Sequence, residues 1–570
     1  MSAIDWIVLC GTLSFIVFYG SWKTRKSDDI SGYLLGDRKN KWWTVCLSIM
    51  ATQASAITFL STPGQAYQDG MRFIQFYLGL PLAMIIISIT AVPIYNRLKV
   101  FTAYEYLESR FDHKTRSLAA MLFLVQRGLS TGITIYAPAI ILSTILNWSV
   151  NITSVIIGIL VIIYTVAGGT KAVSVTHRQQ MAVIFGGMFL AGYMVVHLLP
   201  ANVSFTKAVS LAGTFGKMNI IDFNFDLKDR YNFWSGMIGG LFLALSYFGT
   251  DQSQVARYLS GESITESRMG LLFNGLLKIP MQFFILLLGA LLFVFYQFHE
   301  APYFFNNTTQ EQFSSSVTTS KAQELKTQYH QVFERKKIIL DDLTSNDKSL
   351  SSEELREYNL RLKEISVENQ KVKGAIREEV LKYDSKANVN DSDYVFISFI
   401  INYLPHGLIG ILLAVIFSAA MSSTAAGLNS LASTSCVDIY KRSIKKNGSE
   451  GHYVLASRWL TVMWGLIAIV FAILASFLEN LIQAVNILGS LFYGTILGIF
   501  LAAFYVKFLK SNAVFIGALI AEGVVITMYL TVDISYLWYN LIGCFMVIFV
   551  AYLVQLFYNK IKKSTGGWTF

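Results

Sequence analysis

Charge is scarce in this 570-residue chain: 14% of its residues are Asp, Glu, Lys or Arg, where a soluble domain carries about 25%. That shortage excludes a soluble multidomain enzyme. Cysteine is also scarce. Cys10, Cys46, Cys436 and Cys544 are scattered in or beside apolar runs without metal-ligand spacing, and read as small apolar residues. No phosphate loop, HExxH zinc motif or nucleophile elbow occurs, which counts against a membrane enzyme. Apolar surface is plentiful. Hydrophobic residues make up 54% and the mean hydropathy is +0.49. Runs such as "PLAMIIISITAVPIY" and "FFILLLGALLFVFY" recur from end to end, and spans of roughly 20 residues cross a bilayer core. The net charge of +10 sits in short loops between these runs, as the positive-inside rule requires, and not on a nucleic-acid face. The chain reads as an all-α polytopic membrane protein.

About thirteen spans are expected, near 4–21, 44–69, 72–96, 118–145, 151–168, 178–199, 233–256, 270–298, 405–437, 455–478, 481–507, 511–531 and 535–558. The first run lacks a basic start and a small-residue cleavage site, so it is kept as a helix. Lys23, Arg25, Lys26, Arg38, Lys39 and Lys41 follow the first span. Arg97, Lys99, Arg110, Lys114 and Arg116 follow the third, and Lys441, Arg442, Lys445 and Lys446 the ninth. Lys560, Lys562 and Lys563 close the chain, whereas intervening loops such as "NWSVN" are nearly free of cations. This alternation predicts an external N-terminus and a cytoplasmic C-terminus; a plasma membrane is expected, and the membrane reading with no long cytoplasmic tail is consistent with a bacterial inner membrane. From about Asn306 to Asp393 the chain turns polar, with apolar residues at helical spacing and opposite charges four apart. An external helical hairpin is expected there. It is either a docking module for an unknown partner or a solvated insertion.

A helix interrupted at membrane depth is tolerated only beside protein or a watery cavity. The second span, "SIMATQASAITFLSTPGQAYQDG", is dense in Ser and Thr and carries Pro63–Gly64 near one end. The seventh, "LALSYFGTDQSQVARYL", holds Gly249 and Asp251. If the first span is an addition, these open two five-helix halves of opposite topology, the pattern that marks a transporter's central site. The division is then 1–43 (extra helix and loop), 44–199 (core helices 1–5) and 200–232 (external loop). There follow 233–305 (core helices 6–7), 306–393 (insertion), 394–510 (core helices 8–10) and 511–570 (two accessory helices and tail). Core helix 8, "LLAVIFSAAMSSTAAGLNSLASTSCVDIYKR", is rich in Ser and Ala. Most of these residues serve close packing, but Ser422 and Ser423 with carbonyls freed at a break would suit a bare sodium ion.

The motifs "GGTKAV", "IYAPA", "YFGTDQ…RYL", "LPHGLIGILLAVIFSAAMSS" and "LNS…VDIY" resemble the sodium:solute symporter family, over about residues 1–300 and 390–560. The resemblance implies a LeuT-type 5+5 inverted repeat working by alternating access, with Na+ as the coupling ion. It implies a sodium site of Ala51, Ala54 and Ala419 carbonyls with the Ser422 and Ser423 hydroxyls. Relatives with a second sodium use an aspartate where this chain has His177, and hydroxyls where it has Ala425 and Ala426, so one sodium per cycle is expected. Matching solute positions are Thr58, Gln75, Phe76, Tyr77, Tyr247 and Asn486. Phe76 and Tyr247 read equally well as packing aromatics.

Arg127 lies about nine residues into core helix 3, roughly 13 Å deep by helix rise. A charge there is costly and by default functional. Its fork suits a carboxylate, and the sialic acid carriers resembled here hold their substrate's carboxylate with a helix 3 arginine. Alternatively it pairs with Asp251 or reaches the inner surface. Energetics bear on this choice. About 100 mV supplies about 2.3 kcal/mol per charge, and a tenfold sodium gradient about 1.4 kcal/mol. One sodium with a neutral solute therefore drives accumulation of several hundredfold, but with a monoanion only about tenfold. A further cation would resolve this. His177 is either a proton carrier or a surface residue at a helix end. The expected function is sodium-coupled import of a small polar solute, with an acidic sugar or small carboxylate ahead of a neutral sugar or polyol. A sodium-dependent membrane sensor is the rival.

Overall fold

The computed structural model describes residues 1–23, 38–146, 148–316, 320–345, 352–385, 387, 389–475 and 480–564. Backbone groups at membrane depth must be satisfied internally, and the described residues form helices without a strand. The principal ones are α1 (Ala3–Lys23), α2 (Trp42–Gln53), α3 (Ala56–Asp69), α4 (Leu80–Ile89), α5 (His113–Leu146), α6 (Val150–His197), α7 (Gly240–Gly249) and α8 (Gln252–Leu259). After α9 (Ile264–Phe298) come α10 (Ser320–Ser345), α11 (Ser352–Tyr383), α12 (Leu408–Thr434), α13 (Glu450–Leu474), α14 (Leu481–Tyr505), α15 (Ser511–Thr531) and α16 (Leu537–Ser564). Among the described residues nine helical stretches are long and apolar enough to cross a membrane. The other expected spans are shorter or interrupted helices: α1, the α2–α3 pair, the first arm of α6 and the α7–α8 pair.

α6 covers two expected spans. Tyr164 Oη lies 2.7 Å from Thr176 Oγ1, although a straight helix would separate them by about 18 Å. The chain therefore folds back between them, leaving arms at the places expected for spans 151–168 and 178–199. The side chains of "GGTKAV" (168–173), like Arg25 and Lys26, lie outside the described residues, as do the side chains of Lys23, Lys562 and Lys563.

Both expected interruptions are breaks. Ala54, at φ −79° and ψ 74°, separates α2 from α3. Pro63–Gly64 does not break the helix and sits inside continuous α3. Gly64 is a packing requirement there, because a Cβ would stand 1.8 Å from Ser392 O. In the second pair Thr250 leaves the helical region, and Asp251 caps α8 by accepting the Ser253 amide at 2.8 Å.

The basic loops gather on one face. Arg116 Nη1 donates to Glu108 Oε2 at 2.7 Å, Arg442 Nε to Glu108 Oε1 at 2.8 Å, and Arg38 Nη2 to Val100 O at 2.8 Å. Hydrogen bonds from Arg442 and Arg116 hold the Glu108 carboxyl below its usual range. A carboxyl lowered in this way stabilises the fold above its unfolded pKa, and that gain is lost as pH falls through the folded value. Glu108→Gln is thus expected to lower the melting temperature in detergent at pH 7, by the equivalent of about 1–3 kcal/mol. The loss should narrow at pH 3. Equal losses at both pH values would refute the ionic account.

The 306–393 insertion is a helical hairpin, docked and not merely solvated. Ala322, Leu325, Tyr329, Val332, Lys336 and Leu340 are buried along α10. Their spacing of three and four makes a coiled-coil seam, which packs on Val372, Ile376 and Val380 of α11. Tyr329 Oη donates to Ala301 O at 2.9 Å, and Asn202 Nδ2 to Thr344 Oγ1 at 2.9 Å. α9 starts beside the Asn40–Gly261 bridge on the basic face and runs 35 residues to the hairpin. The hairpin therefore lies on the opposite face.

Candidate functional site

The break in α2–α3 releases two carbonyls. The amides that would close on Ala51 O and Ala54 O turn elsewhere: Ser55 N donates to Gln53 O and Thr58 N to Ser55 O, both at 3.0 Å. α12 brings hydroxyls to this place. Ser422 Oγ donates to Ala51 O at 2.9 Å, and Ser423 Oγ to Ala419 O at 3.0 Å. All five expected sodium residues are buried, and the structure joins Ala51 to Ser422 and Ala419 to Ser423. Such neutral hard oxygens are what a small hard cation takes.

His177 is not at the surface. It is fully buried, with Nδ1 2.9 Å from Ser48 Oγ of α2. Thr52, one turn further along α2, donates its hydroxyl to Ser48 O at 2.8 Å, and the Ser48 that His177 meets lies six residues, a rise of about 9 Å, before the break at Ala54. It is covered because α6 packs against both α2 and α12. Ala425 and Ala426 are buried on α12.

Beside the break lies a cavity of about 120 Å³. Six of the seven expected solute residues line it: Thr58, Phe76, Tyr77, Arg127, Tyr247 and Asn486. Gln75 does not. Its Nε2 donates to Tyr231 O at 2.7 Å and its Oε1 accepts the Asp222 amide at 3.0 Å, so the amide is spent on the 200–232 loop. Phe76 stacks on Phe73 with centroids 5.5 Å apart, and Tyr247 Oη accepts Gln254 Nε2 at 2.6 Å.

Arg127 takes the structural partner that was one of its readings. Its Nη2 pairs with Asp251 Oδ2 and lies 3.1 Å from Tyr493 Oη, which itself donates to Asp251 Oδ2 at 2.8 Å. Asp251 Oδ1 accepts Ser253 N and Oγ at 2.8 and 2.6 Å. Both carboxylate oxygens are thus satisfied, whereas Arg127 Nε has no hydrogen-bond partner and the residue faces the cavity. The Tyr247 ring lies 5.6 Å below the guanidinium carbon.

Sequence reasoning missed Thr131, Thr134 and Tyr493 in this lining. The signal was present. Thr131 and Thr134 follow Arg127 by four and seven residues, and Tyr493 follows Asn486 by seven, so each shares a helix face with a residue already singled out. Thr134 Oγ1 also accepts Thr424 Oγ1 of α12 at 3.1 Å, tying the cavity wall to the helix that carries Ser422 and Ser423.

Known proteins resemble this arrangement. The model of the sodium:solute symporter family matches residues 33–327 and 383–521. The human sodium/iodide cotransporter is 33% identical over 46% of this chain and 41% of its own length. The mouse sodium-coupled monocarboxylate transporter 2 is 31% identical over 48% and 44%. The chain thus spans less than half the length of these curated relatives. The sodium/sialic acid symporter NanT of Aliivibrio fischeri is 25% identical over 98% of this chain and 95% of its own. A solved structure of a Na+-coupled sialic acid symporter, substrate-bound and outward-open, superposes with a TM-score of 0.74 at 22% identity over 98% of both chains. That likeness shows the LeuT-type fold. The chain belongs to the sodium:solute symporter family.

Proposed function

We propose that the protein couples inward sodium flow to import of a small polar solute by alternating access. The solute is an acidic sugar such as sialic acid, or a small carboxylate. The observation that carries this reading is the Ser422 hydroxyl on the freed Ala51 carbonyl at the helix break, with Ser423, bonded one turn back along α12 to Ala419 O, lining the cavity beside it. Sodium takes oxygens from Ala51, Ala54, Ala419, Ser422 and Ser423. Thr58, Phe76, Tyr77, Tyr247 and Asn486 enclose the solute, and Arg127, held by Asp251, offers its remaining donors to a carboxylate. Gln75 acts indirectly, by fixing the 200–232 loop. The basic face is cytoplasmic together with the C-terminus, and the hairpin and N-terminus are outside. The domain division follows the two breaks, with 44–199 and 233–510 as the repeats around the 306–393 insertion.

One observation favours a second reading. Asp251 already neutralises Arg127, which suits a neutral sugar or polyol and lets the membrane voltage act on the transported sodium. With an acid, steep accumulation needs another cation, and His177 is the candidate proton carrier. Uptake should then depend on pH between 5.5 and 8 and lose that dependence in His177→Gln.

Proteoliposome uptake separates the readings. N-acetylneuraminate, lactate, glucose and myo-inositol are offered under inward sodium or potassium gradients. Sodium-dependent uptake of acids alone supports the first reading, and of neutral solutes alone the second. Sodium binding without sodium-dependent uptake of any of them would favour a sensor.

A further inference from the structure

The hairpin roofs a second cavity, of about 640 Å³, over the ends of α3 and α9. Its walls carry Lys217, Lys336, Lys373 and Arg377, against a single lining carboxylate, Asp391, among the described residues. Lys336 is 5% exposed, yet among the described residues it makes no hydrogen bond or ion pair. Glu300 is near enough to act on it but pairs with His330 at 3.3 Å. Burial, and then the Lys373 charge, push the Lys336 ammonium down to about 7. Lys373 likewise has no ion-pair partner among the described residues, and its Nζ stands 5.6 Å from the Tyr329 ring and 5.9 Å from that of Phe305. Burial pushes Lys217 down to about 8, although Asp69 opposes this. Asp391 acts on Lys373 and Arg377 and accepts the Phe305 amide at its Oδ2, but it is one carboxylate against the four cations of the lining.

Lys336 and Lys373 are held near each other with Glu300 and Asp391 nearby but in ion-pair contact with neither among the described residues, an arrangement that an anion between them would stabilise. A chain that only needed to pack a hairpin would place apolar residues at these seam positions. The other wall groups set the class of anion. Asn369 and Gln370 offer amides suited to hydroxyls, and Tyr329 and Phe305 offer ring faces to a compact organic body.

We propose that this cleft is an anion-binding site for a small organic carboxylate, captured outside the membrane before it reaches the central cavity. Its position outside rests on the orientation proposed above; the binding itself does not. Along α3 the cleft residue Gln68 lies ten residues from Thr58, a rise of about 15 Å, so this is a site separate from the central cavity. A cationic vestibule raises the local concentration of an anionic solute.

Equilibrium binding to the full chain in nanodiscs tests this, in potassium buffer so that sodium-coupled binding is silent. The probes are N-acetylneuraminate, D-gluconate and inorganic phosphate. Saturable binding of a carboxylate probe is expected, weakened tenfold or more in Lys336→Gln/Lys373→Gln and unchanged in Lys363→Gln, an exposed lysine of α11 outside the cleft. Removing unpaired buried charges does not threaten the fold, and each single substitution should give a partial loss. No saturable binding, or equal binding in the double variant, would overturn the site. Phosphate binding alone would overturn the carboxylate class. A failure of sodium-dependent uptake would leave the potassium-buffer result standing, so the two proposals fail separately.

Discussion

Asp251→Ala is expected to cost the fold about 3–5 kcal/mol, the scale of breaking one side of a buried ion pair. Asp251 is fully buried and receives Arg127, Tyr493 and two donors of Ser253. Its loss strands a guanidinium at membrane depth and removes the cap of α8 together with a bridge to α14. Asp251→Ala/Arg127→Met should recover much of the loss, because no charge is then left unpaired. Thermal unfolding in detergent checks both variants. If the single substitution were harmless, the pair would carry no structural load and Arg127 would be free for solute alone. Arg127→Ala adds the functional arm. Loss of acid binding in protein that still folds would support the carboxylate role, whereas loss of folded protein would support the pair alone.

Ser422→Ala/Ser423→Ala carries the second large effect. Both serines lie in α12, where alanine is a better helix former, so folding should survive. Two of the five proposed sodium ligands vanish, and the sodium concentration for half-maximal uptake is expected to rise at least tenfold, about 1.4 kcal/mol. Ser423→Ala alone should give a smaller rise. Unchanged sodium dependence in the double variant would remove the hydroxyls from the site and leave them as packing residues.

Much of this was legible because lipid imposes simple rules. Apolar runs became helices, and polar interruptions became breaks. Gly249 and Asp251 marked one break directly. The other was harder to locate, because Pro63 drew attention while Ala54, with no unusual side chain, is where the helix parts. Proline inside α3 needs only a local adjustment, whereas the carbonyl freed at the Ala54 break is met by Ser422 of α12, distant in sequence. Gln75 was misplaced for a similar reason. A buried amide satisfies the nearest backbone groups, and the 200–232 loop reached it first. His177 looked like a helix-end surface residue, but the fold-back of α6 between Tyr164 and Thr176 places it under α2. The docking of the hairpin through Tyr329 and Thr344 was invisible in a segment whose composition resembles any solvated helix pair.

The most direct test of the sodium account is equilibrium binding of radioactive sodium to the purified chain. Saturable binding of about one ion per chain is predicted, from the one set of freed oxygens at the α2 break, and it should be lost in Ser422→Ala/Ser423→Ala. No saturable sodium binding by the folded protein, or binding indifferent to both serines, would contradict it.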